Sequence, residues 1–104
     1  MPYQIEFTDT FGGEANYSWV RRAVVTMPEL TAYGYTGSAD GSYAKANRTY
    51  QRELMRRAKD RMGLTGVRGR TYWHGDHGEF RPYRSATVMF LTWCDDASDD
   101  TAEG

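Results

Sequence analysis

Along residues 42–66 the hydrophobic positions follow a helical period. Tyr43, Asn47, Tyr50, Leu54 and Ala58 recur at spacings of 4, 3, 4 and 4, which stacks them on one face of a helix. Ser42 suits the start of that helix as an N-cap, and Gly63, free to adopt positive φ, suits its end. Elsewhere the pattern is that of strands. Tyr3, Ile5 and Phe7 alternate with Gln4, Glu6 and Thr8 up to Asp9, as in a half-buried strand. Residues 11–16 then read as a loop, and residues 17–27, rich in β-branched and aromatic side chains, as a strand returning antiparallel. Pro28 ends it. Gly34, Gly37, Asp40 and Gly41 mark a loose connection in which residues 32–35 form a short edge strand.

After the helix, residues 67–74 are extended, 74–78 form a turn, and 79–84 form a second extended piece whose Pro82 favours an edge or irregular strand. Residues 86–93, with Val88, Met89, Phe90 and Leu91 in succession, predict a central strand buried on both faces. Residues 95–104 are acidic and lack large apolar groups, as in a flexible tail. The pattern predicts an α+β fold in which an antiparallel sheet of about four to five strands carries one amphipathic helix on one face, in the order β-β-α-β-β-β. Residues 1–94 form the single domain. Tyr43, Tyr50 and Leu54 are expected to meet the sheet, and Trp19, Trp73 and Tyr83 are assigned to the core.

Composition adds little to the outline but fills in the core. A chain of 104 residues fits one domain. Its 39% hydrophobic content is modest, and its 14% aromatic content supplies core volume. The single cysteine, Cys94, excludes an internal disulfide. No apolar run has the length of a membrane span, so the expectation is a soluble cytoplasmic protein with no membrane partner.

Charge changes the picture more. The net −1 hides an uneven distribution, with 11 basic and 4 acidic residues in positions 45–84 and acidic excess on either side. Local patches, not the total, set the field a partner meets. On the helix, Lys45, Arg48, Arg52, Arg56 and Lys59 fall within an arc of roughly 80° opposite the apolar stripe. Glu53 and Asp60 stand at the offsets that pair them with Arg56 and Arg57. Lys45, Arg48, Arg52 and Lys59 lack such neighbours and are assigned to an anionic partner. A solvated face that helps the helix dipole accounts for the same stripe.

Arg68, Arg70, Arg81 and Arg84 are interleaved with Tyr72, Trp73, Phe80 and Tyr83. Arginines beside rings suit single-stranded nucleic acid, and simple alternation between core and surface gives the same spacing. Gly63, Gly66 and Gly69 follow the helix rather than precede it, so they read as a C-cap and strand entry, not a phosphate loop. His74, Asp76, His77 and Glu79 offer metal-ligand chemistry without a remote ligand to complete a site. Cys94 stands beside Asp95 and Asp96, which disfavour its thiolate. The reading is therefore of no catalytic residues, no metal and no cofactor.

Three segments carry a resemblance: the stretch from Gly12, Gly13 and Glu14 through Tyr17 and Trp19 to Arg22; Gly63 to Arg68; and Arg81-Pro82-Tyr83 leading into Thr87-Val88-Met89-Phe90. Together they resemble small uncharacterised proteins encoded by phages, prophages and plasmids. The resemblance implies an inhibitor of a host defence complex, of the anti-CRISPR kind, acting by protein–protein contact in the host cytoplasm. A nucleic-acid-binding accessory protein using the basic helix face is the alternative, and a small metal-dependent enzyme centred on His74, Asp76 and His77 a second.

Overall fold

The computed structural model describes residues 1–37 and 42–94. The expectations for Asp40, Gly41 and the acidic segment 95–104 fall outside the described residues. The elements are β1 (Pro2–Phe11), β2 (Glu14–Thr26), a 3-10 turn (Leu30–Tyr33), α1 (Ser42–Arg61), β3 (Gly69–His74), β4 (His77–Pro82) and β5 (Thr87–Trp93). The strands form one antiparallel sheet in the order β2-β1-β5-β4-β3. The α+β architecture is thus as expected, with β5 central and β2 and β3 at the edges.

Strand register decides which side chains meet the helix. Tyr3, Ile5 and Phe7 of β1 stand opposite Trp93, Leu91 and Met89 of β5, and Met89 stands opposite Phe80 of β4. Opposed residues share a face, so Ile5, Phe7, Phe80, Met89 and Leu91 form one apolar floor. Onto it α1 lowers Tyr50, Leu54, Met55 and Ala58, all buried. The Tyr50 hydroxyl meets that of Tyr3 at 3.0 Å in the core, and the Tyr33 ring stands edge-on to Tyr50 at 5.9 Å. Burial raises the pKa of both Tyr3 and Tyr50.

Several local expectations are corrected. Tyr43 is 52% exposed and rests on Tyr35 rather than the sheet; Ala46 and Met55 of the helix, and Met62 just past its end, are buried beside Tyr50, Leu54 and Ala58. The first hairpin has no long loop. β1 and β2 run to a two-residue turn at Gly12 and Gly13, with a register shift between Thr8 and Thr10. That bulge is held by Asp9, which accepts bonds from Ser18 N at 3.0 Å, Ser18 Oγ at 2.6 Å and Asn16 Nδ2 at 2.9 Å. Residues 32–35 are not an edge strand, because Leu30–Tyr33 coil into the 3-10 turn. Pro82 does not place β4 at an edge: β5 pairs with residues 77–80 only, so the missing proline N–H falls beyond that ladder. Trp19 and Tyr83 are 41% and 56% exposed and outside the core.

The helix ends as the glycine spacing predicts. Gly63 (φ 73°) donates to Asp60 O at 3.3 Å, and Leu64 donates to Lys59 O at 2.8 Å. These two bonds satisfy terminal carbonyls in a Schellman motif, which turns the chain toward β3.

Candidate functional site

The fold divides the basic stripe of α1 into two groups. Arg56 is consumed by Glu53 (Nη2–Oε2 2.6 Å) and Asp60 (Nη1–Oδ2 2.9 Å), as the helical offsets predict. Arg57 also pairs with Glu53 at 2.8 Å. These arginines hold the Glu53 carboxyl at a pKa of about 2. Lys59 is a correction. It donates to Val67 O at 2.6 Å and lies 4.6 Å from the Phe80 ring centroid, so it ties the chain entering β3 to the helix rather than waiting for a partner. Lys45, Arg48 and Arg52 are exposed and make no ion pair among the described residues.

Arg48 and Arg52 border a groove of about 510 Å³ between α1 and edge strand β3, lined also by Gln51, Met55, Thr71 and Trp73. A second hollow of about 260 Å³ continues it along the helix past Arg52 and Met55 toward Thr65 and Gly66. Trp73 is placed by what lies opposite. Gly78 pairs with it across the hairpin, and a Cβ there would stand 2.5 Å from the indole ring. Glycine at 78 therefore lets the ring lie down on β4. The groove thus combines two guanidinium groups that are unpaired among the described residues, a fixed indole and a thioether. Sequence reasoning missed Gln51, Met55, Thr71 and Trp73 as lining residues. Odd-numbered alternation in β3 could have put Thr71 and Trp73 on the helix side, but only the strand order brings them beside Arg48.

The strand arginines do not converge. Arg81 pairs with Glu79 and donates to Gly13 O at 2.8 Å, so it fastens the β1–β2 hairpin across the open face of the sheet, where Thr8 and Val88 are fully buried. Arg70 stands on that open face beside Tyr72 and Tyr83, whose hydroxyls raise its pKa. Arg68 and Arg84 are exposed, and Arg84 occupies a turn at φ 59°. The aromatics separate as well: Trp73 and Phe80 face the helix, whereas Tyr72 faces away.

His74, Asp76, His77 and Glu79 are not gathered into a metal site; among the described residues no three such ligands converge. His77 stacks on Phe90 at 5.7 Å, with Nδ1 3.1 Å from Thr92 Oγ1. Cys94 donates its backbone N–H to Pro2 O at 3.0 Å. Among the described residues no helix is long and apolar enough to cross a membrane.

Fold and groove together define a small two-layer α+β protein with a cationic, partly apolar cleft at one sheet edge. The chain matches no protein-family model, and no curated protein or solved structure matches it.

Proposed function

We propose that the protein is a small non-enzymatic binding protein that docks on an acidic surface of a larger protein complex through the α1–β3 groove and blocks it by occupation. One observation carries this reading: Arg48 and Arg52, unpaired among the described residues, share a groove with Met55 and Trp73. Charge supplies steering and selection against wrong partners, while the indole and thioether supply the dry contact that holds a protein interface together. The resemblance to phage-encoded proteins suggests a host defence complex as the target, in the manner of an anti-CRISPR protein.

A nucleic-acid track is less well supported. From Lys45 to Arg52 the cations that are unpaired among the described residues extend only about 10 Å along the helix. The neighbouring arginines and Lys59 are already bonded within the fold. The rings that would stack bases lie on opposite faces of the sheet. Among the described residues, Arg70 with Tyr72 and Tyr83 is the cluster that favours stacked bases.

The test is fluorescence anisotropy with labelled decaglutamate and with single- and double-stranded oligonucleotides across a salt series. Binding of decaglutamate that weakens with salt and is lost in Arg48→Ala/Arg52→Ala is the expected result. Tight oligonucleotide binding without decaglutamate binding overturns the reading.

A further inference from the structure

The two edges of the sheet are treated differently by the helix. In the first hairpin Met1 and Met27 exchange both backbone bonds, so alternation turns the amides of Val24 and Thr26 outward on edge strand β2. Arg57 donates to Thr26 O at 3.1 Å and Arg61 to Val24 O at 2.8 Å. That edge is partly capped. In the other hairpin, a two-residue turn at Gly75 and Asp76 makes His74 and His77 the bonded pair. Tyr83 N donates to Arg68 O at 3.0 Å, in the same alternation. The amides of Gly69, Thr71 and Trp73 therefore point away from β4, along the outer edge of the sheet. Among the described residues, Lys59 satisfies the carbonyl of Val67, the next in that row, and no strand or side chain pairs with the other three.

The open row of amides and the basic groove adjoin, because Thr71 and Trp73 belong to both. A strand added to β3 would exchange bonds with Thr71 and Trp73, and the residues opposite them would turn their side chains into the groove, toward Arg48 and Arg52. We infer that β3 is a docking edge for an extended acidic segment of the partner protein: its backbone adds a sixth strand and its alternate carboxylates enter the groove. This rests on the proposed protein-binding reading and specifies its mode. Charge complementarity selects this occupant over a second copy of the chain, whose own β3 would bring a like set of arginines, Arg48, Arg52 and Arg70, to the junction.

The probe is an end-capped peptide of about eight residues alternating Glu and Thr, long enough to span the exposed row. Two versions are N-methylated, one at each Glu and one at each Thr. Only the Glu amides face β3 in the productive register. Affinity is read by anisotropy, and exchange of the Gly69, Thr71 and Trp73 amides by NMR.

The unmodified and Thr-methylated peptides are expected to bind and to protect the three amides. Methylation at Glu should weaken binding about tenfold or more by deleting inter-strand bonds, and Arg48→Ala/Arg52→Ala should weaken it as well. If the Glu-methylated peptide binds as well as the parent while the three amides exchange freely, strand addition is overturned and charge docking stands. If no peptide binds and decaglutamate also fails, both readings fall. If the three amides are protected without peptide in a sedimenting dimer, the edge belongs to a second copy and the inference is overturned.

Discussion

At the scale of single residues, cations of one stripe have different duties. Lys59 holds Val67 O and lies over Phe80, both within the fold, whereas Arg48 and Arg52 hold nothing among the described residues. Lys59→Met, which keeps the stem and removes the charge, should lower stability by about 1–2 kcal/mol, measured by urea unfolding. Arg48→Ala and Arg52→Ala should each stay within about 0.5 kcal/mol of the parent and act on binding alone. The carboxylates set the acid limit. Bonds from Ser18 and Asn16 lower Asp9 to a pKa of about 2, and Arg56 and Arg57 lower Glu53 to about 2. Both groups bind protons more weakly in the folded state, so their stabilisation is full above their unfolded pKa values, near 4, and is lost as pH falls toward 2. The melting temperature should therefore drop over that window, and Asp9→Asn with Glu53→Gln should flatten the drop. An unchanged slope in that double variant would remove these two groups from the account.

At the scale of elements, α1 organises both sheet edges. Its C-terminal cap depends on Gly63 at φ 73°, so Gly63→Ala should cost about 1 kcal/mol through left-handed strain. Arg57 and Arg61 cover carbonyls of β2; the pair Arg57→Ala/Arg61→Ala should uncover that edge and raise self-association in sedimentation velocity. The helix itself was legible in the sequence, since period and terminal glycine are local signals. Its buried face was legible only in part. Tyr43 fits the helical period but rests on Tyr35, while Met55 and Met62 fall between the apolar stripe and the basic arc and are buried all the same. The ion pairs of Glu53 and Asp60 were readable because they are offsets along one helix. Strand order is a non-local property. Nothing in the spacing of Thr71 and Trp73 places them beside Arg48 and Arg52, and so the stripe was visible in the sequence but the groove was not.

At the scale of the whole molecule, folding spends five of the eleven positive charges of residues 45–84 on internal bonds. Arg56, Arg57, Lys59, Arg61 and Arg81 secure loops, edges and carboxylates. What remains near the groove is a compact cationic lip over Met55 and Trp73, beside the uncapped edge of β3. That concentration makes a selective protein contact a better account than diffuse electrostatic adhesion. The central claim is that Arg48 and Arg52 select an acidic partner, and charge reversal tests it most directly. Anisotropy titrations of Arg48→Glu/Arg52→Glu against labelled decaglutamate and decalysine, beside the parent protein, should show loss of decaglutamate binding and gain of decalysine binding. Unchanged decaglutamate binding in a folded reversal variant would contradict the account.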